Sequence, residues 1–128
     1  MHKILIVDDE PHIRLLLEQT LEDFEDKGVE IFTAENGKIA LDIIEKENPN
    51  LVFLDVMMPE MNGYDVCYKV KQEKGLKSIY IIMLTAKGQE FDRKKAYEVG
   101  VDLYVTKPFD PDLIIEKTSD ILGIKLEE

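Results

Sequence analysis

Short apolar runs alternate with segments of helical period from one end of the chain to the other. Residues 3–7, 30–33, 51–54, 80–84 and 102–105 have strand length, and most are nearly continuous in Val, Ile, Leu, Phe or Tyr, as strands buried on both faces require. Between them, Ile13, Leu16, Leu17, Leu21 and Phe24 recur at steps of three and four and predict a first helix, with Pro11 at a tolerated early position. Leu41 and Ile44 mark a second helix, stopped by Pro49-Asn50, and Val66, Cys67 and Val70 mark a third. Residues 89–99 form a weakly amphipathic fourth helix that Gly100 can cap, and Asp110-Pro111 opens a fifth as N-cap and N1. Five strand–helix units in this order predict an α/β protein built on a parallel sheet.

Composition narrows the class. A chain of 128 residues suits one domain spanning 1–128, and no linker, repeat or low-complexity segment divides it. The longest apolar run, near residues 79–84, is far below the roughly 20 residues of a membrane-spanning helix. Met1-His2-Lys3 leads straight into the first strand with no cleavage pattern, and one cysteine, Cys67, with two histidines argues against disulfides and structural zinc. We therefore expect a cytoplasmic protein without membrane insertion. A net charge of −11 would repel a phosphate backbone, so direct nucleic-acid binding is not expected.

The chemistry lies where the apolar runs stop. In an open parallel sheet, sites form beyond the carboxyl ends of the strands. There the chain places Asp8-Asp9-Glu10, Asp55, Thr85-Ala86 and Thr106-Lys107-Pro108. Two carboxylates 4 Å apart repel by about 4 kcal/mol in a surface-like dielectric, so such a cluster calls for a cation. Oxygen ligands suit Mg²⁺, which commonly bridges to phosphate. Lys107 could meet the same anion as a point charge, while the Thr85 hydroxyl and Ala86 N–H could donate to phosphoryl oxygens. A carboxylate in this setting can act as a nucleophile. Taken singly, Asp8-Asp9 would be a solvated helix start, Asp55 a loop cap, Thr85 a strand end and Lys107 a surface lysine. Their conjunction at one sheet edge is what points to a site.

Four segments carry a resemblance: Ile4-Leu5-Ile6-Val7-Asp8-Asp9-Glu10, Asp55-Val56-Met57-Met58-Pro59-Glu60-Met61-Asn62-Gly63, Leu84-Thr85-Ala86 and Tyr104-Val105-Thr106-Lys107-Pro108-Phe109. With them the whole chain resembles a receiver domain of a two-component response regulator, of the stand-alone, chemotaxis-switch kind. The resemblance implies a doubly wound five-stranded parallel sheet, strand order 2-1-3-4-5, with five flanking helices. It implies that Asp55 accepts a phosphoryl group from a sensor histidine kinase, and that Asp8 or Asp9 binds Mg²⁺, for which Mn²⁺ could substitute. The backbone carbonyl of Met57 would complete the metal site, and Lys107 would contact the phosphoryl group. Thr85 would move towards that group while Tyr104 changes rotamer, and Lys107-Pro108 would be cis. Such a protein is a switch rather than an enzyme, assisting its own phosphotransfer and slow autodephosphorylation. Met57, two residues after Asp55, cannot position a hydrolytic water by a strong hydrogen bond. Lys87, two beyond Thr85, either shields the site or is simply solvated.

Two rivals share the fold class. A phosphohydrolase working through an aspartyl phosphate resembles Asp-x-Asp at its nucleophile, whereas Asp55-Val56-Met57 lacks the second acid. A flavin mononucleotide carrier needs a glycine- and hydroxyl-rich loop after the first strand, where Asp8-Asp9-Glu10 would repel phosphate. Because a receiver nearly fills the chain, its output is expected to be another protein, met through the fourth helix, fifth strand and fifth helix; the chain would be a stand-alone regulator, a shuttle to a histidine phosphotransfer protein, or a receiver excised from a longer transcription factor. Leu113, Ile114, Ile115, Ile121 and Leu122 spread over roughly 200° of the fifth helix, wider than the apolar stripe of about 100° that one sheet face needs. The surplus either packs under the first helix or the 124–126 segment, or joins Tyr104 in that partner face.

Overall fold

The computed structural model describes residues 2–86 and 92–126 and has the expected α/β architecture. Strands β1 (Lys3–Val7), β2 (Glu30–Ala34), β3 (Leu51–Asp55), β4 (Tyr80–Ala86) and β5 (Leu103–Lys107) form one parallel sheet in the order β2-β1-β3-β4-β5. Alternate residues feed opposite layers, as the two-residue period of a strand demands. Leu5, Val7, Val52, Leu54, Ile81 and Met83 face a core shared with the helices α3 (Gly37–Glu47), α4 (Gly63–Tyr68) and α5 (Arg93–Val99). Ile4, Ile6, Leu51, Phe53, Ile82 and Leu84 face the other core, under α1 (Pro11–Thr20) and α6 (Pro111–Leu122).

Six helices are present among the described residues, where five were expected. The additional one is α2 (Glu22–Glu25): the first helix breaks at Leu21, whose φ of −101° and ψ of 5° turn the chain so that Phe24 becomes fully buried. The third helix continues as a π-helical turn over Lys69–Glu73. Its start is firm, because the Asn62 side chain accepts the Asp65 N–H at 3.0 Å while the Asp65 carboxylate accepts the Asn62 N–H at 3.2 Å. The fourth was expected from residue 89; residues 89–91 lie outside the described residues, and α5 is capped by Asp92, whose side chain accepts the Lys95 N–H. Gly100 and Asp110 act as the C-cap and N-cap expected of them.

Strand boundaries move towards the site. β3, β4 and β5 run one or two residues past the expected ends because their ladders continue, with Asp55 opposite Leu84, Thr85 opposite Thr106 and Ala86 opposite Lys107. β5 also begins one residue later than expected, at Leu103. Asp55, Thr85, Ala86 and Lys107 therefore stand on the sheet, and Asp8 and Asp9 follow directly after β1. The apolar arc of α6 takes the packing alternative: Ile114 and Leu122 are buried, and Leu113, Ile115, Ile121, Ile124 and Leu126 pack partly buried against the same core. Among the described residues, no helix is long and apolar enough to cross a membrane.

Candidate functional site

Asp8 follows β1 directly and is fully buried. Its N–H donates to the Ala34 carbonyl at 3.2 Å, which continues the sheet ladder by one rung. Its carboxylate accepts the Glu10 N–H at 2.9 Å and the Lys107 ammonium at 3.1 Å, and its carbonyl accepts from the Arg14 guanidinium at 2.6 Å. Asp55 ends β3, also buried, and accepts from the Met57 N–H at 3.3 Å and from Lys107 at 3.4 Å. Carboxylate oxygens of Asp8, Asp9 and Asp55 all lie within 4.8 Å of one another.

The loop after Asp55 is held against the sheet by main-chain bonds. Val56 N–H donates to Leu84 O at 3.0 Å, and Gly63 N–H donates to Val56 O at 2.8 Å. Gly63 is required there, since a Cβ would stand 2.4 Å from the Asp55 carbonyl oxygen. So the N-terminus of α4 rests on the backbone of Asp55. Tyr64, the next residue, extends the link: its hydroxyl accepts the Asp92 N–H at 3.0 Å and so ties α4 to the cap of α5.

Among the described residues, the charge on the carboxylates of this edge is not balanced. One ammonium, Lys107, faces Asp8, Asp55 and, at 3.6 Å, Glu10, with Asp9 alongside. Burial and then the Asp8 charge push the Asp55 carboxyl up to about 7, against the pull of Lys107; the hydrogen bond from Asp9 adds to the rise and the Met57 N–H opposes it. For Lys107, burial alone would lower the pKa, but Asp55 and Asp8 together outweigh it and the ammonium is held above its usual range. Three oxygen donors with surplus negative charge, and no nitrogen or sulfur ligand among them, fit a hard divalent cation.

The other expected residues are nearby. Thr85 is buried and Ala86 exposed at the end of β4, beside Thr106 and Lys107. Met57 leaves its side chain 62% exposed next to Asp55. Tyr104 sits half-buried on β5, with the Arg93 guanidinium 5.2 Å from its ring centroid and bonded to its hydroxyl. The Lys107–Pro108 peptide is cis. Lys87 lies outside the described residues. Arg14 and Tyr64 were given no role by the sequence. The one trace of Arg14 was a cation in the first turn of a helix, where the dipole disfavours it.

The profile of the response regulator receiver domain matches residues 4–119. The chain belongs to that family. This receiver domain is 47% identical over 120 residues to the "Probable transcriptional regulator ycf27" of Porphyra purpurea, covering 94% of this chain and 47% of that protein. It is 43% identical over 120 residues to the alkaline phosphatase synthesis transcriptional regulatory protein PhoP of Bacillus subtilis, covering 94% and 48%. The chain thus spans about half the length of the curated relatives it matches. Among solved structures it is similar to a CheY-like response regulator receiver domain protein from Methanospirillum hungatei, with a TM-score of 0.79 and 35% identity over 95% of this chain and 94% of that one.

Proposed function

We propose that this receiver domain is a phosphorylation switch whose acceptor is Asp55, supplied by a sensor histidine kinase or by a small donor such as acetyl phosphate. The observation that carries the reading is the charge imbalance: among the described residues, three carboxylates converge at the end of β3 with one ammonium, Lys107, on them, and Asp55 is pushed up to about 7 despite it. Asp8, Asp9, Asp55 and the backbone carbonyl of Met57 would hold Mg²⁺, which supplies the missing positive charge. With that charge present Asp55 would be held ionised at neutral pH and so be nucleophilic. An Asp55 oxygen forms the new P–O bond as the P–N bond of a phosphohistidine breaks, and the electron pair leaves on the imidazole nitrogen. Lys107 balances the phosphoryl charge, while Thr85 and the Ala86 N–H are suited to donate to its oxygens.

The signal leaves the site through Thr85 and Tyr104. Thr85 turning towards the phosphoryl group vacates space that Tyr104 enters, which shifts a pre-existing equilibrium. The output face is narrower than α5, β5 and α6 together, because the apolar arc of α6 is packed; it centres on Tyr104 and on α5, where Tyr97 is 81% exposed. Its partner would be a histidine phosphotransfer protein or another downstream protein. The Met57 thioether offers a hydrolytic water no strong acceptor, so the acyl phosphate is long-lived. We assign this face no nucleic-acid contact, given the net charge of −11.

Intact mass after incubation with acetyl phosphate and Mg²⁺ tests the reading. One added phosphoryl group is expected, absent from Asp55→Ala and absent without divalent metal, and its decay reads the lifetime. A mass shift that survives either change would sink the assignment. Equal partner affinity before and after labelling would sink the switch.

A further inference from the structure

Asp8 and Asp9 are adjacent, and in an extended chain adjacent side chains point to opposite faces. Yet both carboxylates approach Asp55, with all three contributing oxygens within 4.8 Å of one another. The peptide between them must therefore leave the strand path, and the chain does bend at Asp9. The carbonyl of that peptide, Asp8 O, is the group that Arg14 holds at 2.6 Å from the first turn of α1. A cation there works against the helix dipole, so helix stability does not account for it. Lys107 and Arg14 also differ in what they touch. Lys107 binds the Asp8 and Asp55 carboxylates themselves, whereas Arg14 binds a main-chain oxygen and leaves the carboxylate lone pairs open to an ion.

We infer that Arg14 is a positioning residue for the cation site: by fixing the Asp8–Asp9 peptide it keeps two neighbouring carboxylates converged on one ion. The inference rests on the reading of the site as a Mg²⁺ site. Groups that orient metal ligands from the next layer typically change metal affinity by about 10–100-fold when lost.

Mg²⁺ titration by calorimetry, on the unlabelled full chain, tests it with Arg14→Gln and Arg14→Lys beside the parent. Arg14→Gln should raise the Mg²⁺ dissociation constant about tenfold or more. Arg14→Lys, which keeps one donor and the charge, should fall between Gln and the parent. Neither should shift the urea midpoint of the metal-free protein in proportion. A dissociation constant in Arg14→Gln within about threefold of the parent overturns the inference, as does a rise that only tracks a fall in metal-free stability. If the parent binds no Mg²⁺, the site reading fails and the inference with it; if the parent binds and labels at Asp55 while Arg14→Gln binds equally well, the inference alone fails.

Discussion

Two lysines with largely enclosed side chains, Lys71 at 6% exposed and Lys107 at 11%, sit at opposite ends of the sheet and do different things. At the end where β4 and β5 begin, Lys71 donates to Asp102 at 2.9 Å and to the Lys77 carbonyl at 3.2 Å, and the same Asp102 oxygen accepts the Ile81 N–H at 2.8 Å. One cation meets one anion, and their hydrogen bonds are spent on each other and on backbone. Where β3 and β5 finish, Lys107 meets Asp8, Asp55 and Glu10 with Asp9 beside them, and negative charge is left over. Burial of a lysine therefore says little about function. Balance separates them: the closed pair is satisfied within itself, and the unbalanced cluster could take up a further positive charge.

The largest effect should come from removing surplus charge. Asp55 is pushed up from an ordinary 3.8 to about 7, a rise that corresponds to about 4 kcal/mol. Because its folded pKa is raised, the folded protein keeps a proton that the unfolded chain has released between about pH 4 and 7. Its contribution thus falls as pH rises through that window, and the full penalty stands above it. Asp55→Asn should stabilise the metal-free protein by up to about 4 kcal/mol at pH 8, with the gain shrinking towards zero near pH 4. Urea unfolding in chelator across that range measures it. Saturating Mg²⁺ at about 100 times its dissociation constant should stabilise the parent by about 2.7 kcal/mol and the variant by much less. A gain independent of pH would break the contrast.

The closed pair should respond with the opposite sign. Lys71→Met leaves the Lys77 carbonyl and one side of Asp102 without their donor. Asp102 keeps 31% of its side chain exposed, so water relieves part of the loss. A cost of about 2–3 kcal/mol is expected, below the range for a fully enclosed pair. Labelling of Asp55 per folded molecule should not change. A variant that folds but labels poorly would show that the far end is not mere architecture.

The difference between these two ends was unevenly legible. Acids, a threonine and a lysine interrupt apolar runs where strands stop, so Asp8, Asp9, Asp55, Thr85 and Lys107 stood out against their surroundings. Lys71 did not, because lysines are normally exposed and its partner Asp102 lies far along the chain. It is brought inside by the π-helical turn over Lys69–Glu73, which leaves no mark on the three-and-four spacing of Val66 and Val70. The break at Leu21 was hidden for a related reason: Leu21 and Phe24 keep the apolar phase of α1 although the backbone turns. Arg14 holds a main-chain oxygen, and such a contact has no partner residue type for a sequence to display.

The smallest effect tests how tightly the closed pair is pinned. Gly100 ends α5 with φ of +98°, its N–H donating to the carbonyls of Ala96 and Tyr97. That region disfavours a side chain by about 1–2 kcal/mol. A Cβ there would also lie 3.1 Å from Lys71 Cγ and 3.2 Å from Lys71 Cβ, close enough that the lysine stem must yield. It has little freedom to do so, because its ammonium is anchored on Asp102 and Lys77. Gly100→Ala should therefore cost about 1–2 kcal/mol and leave Mg²⁺ affinity unchanged. In the Lys71→Met background the unanchored thioether chain can move aside, and the same substitution should cost about 0.5 kcal/mol less. A double-mutant cycle by urea unfolding reads that difference directly. Additivity within about 0.3 kcal/mol would mean that Lys71 is free to shift, and that the far end is a looser contact than its hydrogen bonds imply.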